Sequence, residues 1–200
     1  MDETDTFLED PEDTREAIMQ ATFEALCEYG YAGLTISRIG EFFEKSKSLL
    51  YHHYESKDEL LLDFLSFMLE EFEGSAGADT DRSATERLDT VFDHALAQDR
   101  PAATLKLTQA MVELRAQAAH DERFREHFTD NDAVFRDQLA AIVEAGVAAG
   151  TFREVDPDQV ASFLLAAMTG AMTQQVTTNT EDPERVRAEL SRYVETVLQA

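Results

Sequence analysis

The 200 residues carry 41 acidic against 17 basic side chains, a formal net charge of -24, and 44% of them are hydrophobic. That is enough apolar content for one large domain or two small ones sharing an interior, while no run approaches the ~18 to 20 uninterrupted apolar residues of a membrane span. The acidic start Met1-Asp2-Glu3-Thr4-Asp5 does not read as a secretion signal, and a single cysteine, Cys27, excludes an internal disulfide or a cysteine-based metal cluster, so a soluble cytoplasmic protein is expected.

The apolar periodicity is helical almost throughout, with no alternating strand pattern and no Asn-Gly hairpin signal. Pro11 and Thr14 stand near the start of a first helix whose stripe runs through Ile18, Thr22, Ala25, Leu26 and Tyr29, and Gly30 and Gly33 end it. A short helix from Thr35 to about Phe43 presents Ile36, Ile39 and Phe43 on one face. Ser46 caps a third, to about Tyr54, with Leu50 and Tyr54 inward at i, i+4. Ser56-Lys57-Asp58-Glu59 is a capping box opening a fourth, to about Glu73, with Leu60, Leu61, Phe64, Leu65, Met68 and Phe72 as its apolar residues.

Gly74 to Asp81 reads as a loop. Further helices are expected at about 83–98, 102–119, 121–149, 157–177 and 183–198, with Pro101 and Gly150 as punctuation. A bend is expected in the third of these, near Thr129-Asp130-Asn131. Asp156-Pro157 and Asp182-Pro183 each place a capping Asp before a proline at the first helical position. The stretch Leu164 to Met172 is apolar nearly all round, as in a helix buried on several sides. Its small residues Ala166, Ala167, Gly170 and Ala171 admit close approach of another helix. Together with Val186, Leu190, Tyr193 and Val197 it resembles half of a four-helix dimer seam, with an intramolecular core as the alternative.

Two short helices joined by a tight turn, the second of them polar, are what reading a major groove requires. The second helix must bury one face and leave small, hydrogen-bonding groups on the other. Leu50 and Tyr54 anchor it here, which leaves Lys47, Ser48, Leu49, Tyr51, His52 and His53 for DNA. Lys47 suits a phosphate or guanine, Ser48 a close approach, and Lys57 a backbone phosphate at the start of the next helix. Charge agrees with this placement. The chain has four lysines, Lys45, Lys47, Lys57 and Lys106. Residues 35–57 hold four cations against three carboxylates, a net +1, so the remainder carries -25. A non-acidic island in so acidic a chain marks where a polyanion would bind. The excess of carboxylates with few lysines points to a proteome adapted to concentrated salt, where acidic surfaces stay hydrated and repulsion is screened; an acidic surface without that history is the alternative.

At Ser46-Lys47-Ser48-Leu49-Leu50-Tyr51-His52-His53-Tyr54, followed by Ser56-Lys57-Asp58-Glu59-Leu60, the chain resembles the TetR family of one-component repressors, and the likeness covers about residues 12–73. Glu44 stands where the family usually has glycine; in a left-handed turn a glutamate costs on the order of 1 kcal/mol, so a differently shaped turn is expected. The resemblance implies an all-α protein. Its parts would be a three-helix helix-turn-helix DNA-binding domain, residues 1–55, and a helical ligand-binding and dimerisation domain, residues 56–200. It implies operator contact by Thr35, Lys45, Ser46, Lys47, Ser48, Leu49, Tyr51, His52, His53 and Lys57. The partners it implies are double-stranded operator DNA, a small-molecule inducer and a second copy of the chain joined through the last two helices. Phe64, Met68, Met111, Arg115, Phe135 and Phe163 are candidate pocket lining, with Arg115 as polar anchor. No catalytic residue, metal or cofactor is expected: P-loop, Gly-x-Gly-x-x-Gly, His-Glu-x-x-His and Gly-x-Ser-x-Gly motifs are all missing, and His94, His120 and His127 lack ligand spacing. A helical adaptor that kept the fold but lost DNA binding is the competing reading, and a gel-shift separates the two.

Overall fold

The computed structural model describes residues 11–75, 82–96, 102–179 and 183–199, with the side chains of 71–75 and 103 excepted. The acidic N-terminus, residues 76–81 of the expected loop, Pro101 and the capping Asp182 lie outside the described residues.

The helices are α1 (Thr14–Gly33), α2 (Ile36–Phe42), α3 (Lys47–His53), α4 (Lys57–Ser75), α5 (Ala84–Leu96), α6 (Ala102–Gln117), α7 (Glu122–Ala148), α8 (Pro157–Thr177) and α9 (Pro183–Tyr193), which continues as a π-helical turn over Val194–Leu198. None among the described residues is long and apolar enough to cross a membrane. Side chains set the starts. Asp13 accepts from Glu16 N–H at 2.9 Å, Thr35 from Arg38 N–H at 3.2 Å, and Asp156, before Pro157, from the N–H groups of Asp158 and Gln159 at 3.1 and 3.2 Å. At Ser56 the hydroxyl accepts from Glu59 N–H, while the Glu59 carboxylate reaches one residue beyond the expected box, to Glu55 N–H at 2.8 Å. Helix α7 runs through Thr129 as one element of 27 residues, with neither proline nor glycine there to break it.

Gly30 breaks α1 with φ 61° and ψ 172°, a region essentially reserved for glycine. An added Cβ would also stand 3.3 Å from the Glu113 carboxylate. Gly30→Ala is therefore expected to cost about 1–3 kcal/mol, read as a shift of the urea midpoint in molar salt; an unchanged midpoint would contradict the strained geometry.

Packing divides the chain into two units, Met1–Gly74 with Pro101–Phe128, and Ser75–Arg100 with Thr129–Ala200. The first is built on Ile18, Met19, Leu26, Ile39, Leu50, Leu60, Phe64, Leu114 and Phe124. The second is built on Leu88, Phe92, Val143, Leu164, Met168, Leu190 and Leu198. The boundary expected after residue 55 thus falls inside the first unit. Leu60, Leu61, Phe64 and Leu65 of α4 enter the same core as Leu50 of α3, and α6 adds Ala110 and Leu114. Each large apolar side chain so buried contributes about 1.5–3 kcal/mol, which ties α4 and α6 to the helix-turn-helix.

Candidate nucleic-acid interface

The sequence Lys47-Ser-Leu-Leu-Tyr-His-His53 forms α3 because Ser46 caps it, accepting from Ser48 N–H at 3.3 Å. Leu50 is fully buried and Tyr54 nearly so, the outcome expected from their i, i+4 spacing. The opposite face is solvent-exposed at Lys47, Ser48, Tyr51, His52 and His53. Tyr51 is 58% exposed. The rings of His52 and His53 lie edge to face, 5.8 Å apart.

Thr35, Lys45 and Ser46 are also exposed, so eight of the ten residues expected at DNA are open to it. Two are not. Leu49 is half-buried against the first core, because its neighbour Leu50 draws that flank of the helix inward. The half-buried Lys57 turns its ammonium onto Tyr31, 3.1 Å from the carbonyl oxygen and 4.0 Å from the ring centroid. That is a cation–π contact within the protein instead of an open cation at the start of α4. Lys47 donates to Ser37 O at 3.1 Å and Lys45 to Thr14 Oγ1 at 3.0 Å, bonds that a phosphate oxygen would have to replace.

The turn at Glu44 is not the left-handed one that would favour glycine. No non-glycine residue among those described has positive φ, and the turn leaves Phe43 at φ -93°, ψ 113°, extended geometry open to any residue.

One brace was not foreseen. Asp63 of α4 accepts from the Tyr54 hydroxyl and from Arg15 of α1 at 2.8 Å, and Arg15 also donates to Glu70 at 2.7 Å. Burial, then the Asp63 hydrogen bond, holds the Tyr54 phenol well above its ordinary pKa, so it remains an O–H donor. The end of α3 is thereby tied to α4 and α1 through one carboxylate. The apolar spacing marks Tyr54 as inward but carries no signal for its partner.

The candidate pocket residues fall in both units. In the first, Phe64 is fully buried, Met68 and Met111 are half-buried against the core, and the Arg115 guanidinium lies 4.6 Å from the Phe128 ring centroid. In the second, Phe135 is half-buried on α7. Phe163 is 49% exposed, its ring 5.0 Å from that of Tyr193. It lines a groove of about 570 Å³ with Ala167, Val186, Tyr193 and Val197, so it belongs to an open face of α8 and α9. Helix α8 is two-faced in the single chain: Val160, Leu164, Met168 and Ala171 are buried, whereas Ser162, Ala166, Gly170 and Gln174 are exposed.

Residues 18–64 match the family of bacterial regulatory proteins of the tetR type, and residues 84–199 match the C-terminal region of BetI-type transcriptional repressors. A TetR transcription regulator from Haloarcula marismortui shares the fold with a TM-score of 0.83 and 36% identity, covering 92% of this chain and 98% of that one. A regulator from Saccharomonospora viridis, solved in complex with choline, has a TM-score of 0.79 at 20% identity, covering 93% and 97%. The transcriptional repressor AcnR of Corynebacterium diphtheriae is 23% identical over 174 residues, 86% of each chain.

Proposed function

Because the chain belongs to the TetR family of transcriptional regulators, we propose that it is a cytoplasmic, homodimeric repressor released from its operator by a small molecule. The exposed face of α3 carries this reading: Lys47, Ser48, Tyr51, His52 and His53 stand clear of a helix whose other side is locked into the core. In a dimer two such helices would occupy successive major grooves, about 34 to 36 Å apart, on a pseudo-palindromic operator. The exposed small residues Ala166 and Gly170 and the groove at Phe163, Tyr193 and Val197 support α8 and α9 as the dimer seam.

The choline complex of the Saccharomonospora viridis protein supports a small-molecule inducer. Phe64, Met68, Met111 and Arg115, all in the first unit, remain the candidate contacts, while Phe163 is better explained by the seam. Inducer and operator would each favour a different helix spacing, a coupling typically of about 1–3 kcal/mol.

The charge adds a salt requirement. Outside residues 35–57 the chain carries -25. The screening length is about 30 Å at 0.01 M salt and about 3 Å at 1 M, so folding and dimerisation should need salt approaching molar. The 36%-identical relative from Haloarcula supports the halophilic reading. Proteins making about 6–10 phosphate contacts lose about 10³ to 10⁵ in affinity between 50 and 200 mM salt. This reading head has few free cations, so its affinity must rest on base edges, apolar contacts and DNA shape. Operator fragments recovered from cells and titrated from about 0.1 to 2 M potassium chloride should show affinity held or rising across the range. A steep monotonic loss, with a well-folded dimer at the low-salt end, would overturn the halophilic reading. Binding of no fragment at any salt would overturn DNA recognition and leave the adaptor.

A further inference from the structure

Tyr31 is held from two other helices at once. Immediately after the break at Gly30, its N–H donates to Glu113 Oε2 of α6 at 2.8 Å, across 82 residues of sequence. Its carbonyl accepts from Lys57 of α4 at 3.1 Å, and its hydroxyl donates to Asp58 of α4 at 3.3 Å. The same carbonyl also takes Leu34 N–H at 3.3 Å, the bond that turns the chain towards Thr35 and α2. The backbone of Tyr31 therefore sets where the helix-turn-helix begins.

The Glu113 contact differs from the others in kind. A backbone N–H bonded to a carboxylate is roughly twice as strong as a neutral pair. The approach is also tight, since a Cβ on Gly30 would stand 3.3 Å from the same oxygen. The other carboxylate oxygen accepts from Gln109, one turn earlier on α6, at 3.3 Å, which orients the group. Helix α6 shares the first core through Ala110 and Leu114 on either side of Glu113, so the carboxylate is presented from a packed element.

We propose that Glu113 is a positioning residue for operator binding: from α6 its carboxylate fixes the Tyr31 amide and, through it, the placement of α2 and α3. The proposal rests on the DNA-binding reading above. It assigns Glu113 no contact with DNA, so its loss should weaken recognition of the operator without changing attraction to DNA in general.

The test compares wild type, Glu113→Ala and Glu113→Gln at molar potassium chloride. Affinity is measured for the recovered operator and for a scrambled duplex of equal length, alongside hydrogen exchange at the Tyr31 amide. Glu113→Ala should speed exchange at Tyr31 and weaken operator binding, each by about tenfold, with the scrambled duplex unaffected. Glu113→Gln keeps a neutral acceptor at the same reach, so it should fall between, at about threefold in both readouts. Should the alanine variant not fold, the glutamine variant carries the test alone. Faster exchange at Tyr31 with operator affinity within about twofold of wild type would overturn the proposal, because the contact would then be structural only. Equal losses on operator and scrambled DNA, or unchanged exchange at Tyr31, would overturn it as well. A wild type that binds no DNA while its Tyr31 amide stays protected would instead overturn the DNA-binding reading.

Discussion

Replacing Tyr51 with alanine is expected to lower operator affinity by about 30- to 10⁴-fold while leaving stability within about 0.5 kcal/mol of wild type. The side chain is 58% exposed, so truncating it opens no cavity. A lost base contact costs about 1–3 kcal/mol, and a dimer loses it in both half-sites, doubling the penalty. Lys47→Ala should also weaken binding strongly, with a different signature. The Lys47 ammonium lies on Ser37 O, and its stem covers Gly40 so closely that a Cβ there would meet Lys47 Cγ at 2.8 Å. Part of its loss should therefore appear as reduced stability. Gel-shift titrations at matched salt, with melting curves on the same samples, separate the two. Operator binding within about twofold of wild type for both variants would remove α3 as the reading helix.

Gly170→Arg is expected to convert the dimer into monomers and, with them, to remove operator binding. Gly170 is exposed on α8, and a Cβ added there meets nothing within 4 Å. The isolated chain accommodates the arginine, and replacing a mid-helix glycine gains a few tenths of a kcal/mol to about 1 kcal/mol of helix propensity. Loss of association would thus report on the seam and not on misfolding. In a close helix contact, by contrast, the arginine brings bulk and a charge without a partner, at several kcal/mol. Light scattering in molar salt should read 22.5 kDa for the variant and twice that for wild type. Losing the second half-site costs an avidity factor of about 10² to 10⁴. A monomeric wild type under those conditions, or a dimeric variant, would contradict the seam at α8 and α9.

Helix order, the helix-turn-helix and the inward side of α3 were legible in the sequence because each is a local property. The 3.6-residue period places Leu50 and Tyr54 on one face of a single turn, Ser46 and Asp156 satisfy N–H groups two or three residues away, and Gly30 stands where the backbone requires φ 61°. Spacing carries no signal for a partner that lies far along the chain. Lys57 occupies a position suited to a phosphate, and its ammonium also donates to the carbonyl of Tyr31, 26 residues earlier. Phe163 has the composition of a core residue but faces outward beside Tyr193.

The sequence by itself determined what each segment becomes, since helix starts, stops and apolar faces are set within a few residues of the chain. Only the tertiary structure decided which of those faces meet and which polar groups find each other. The Arg15–Asp63 pair spans 48 residues and the Tyr31–Glu113 bond spans 82. Such bonds form because α4 and α6 bury apolar side chains in the same core as α1 and α3. That burial is non-directional and brings the helices together, and the polar partners left within reach are then set by the packing, which no local pattern encodes.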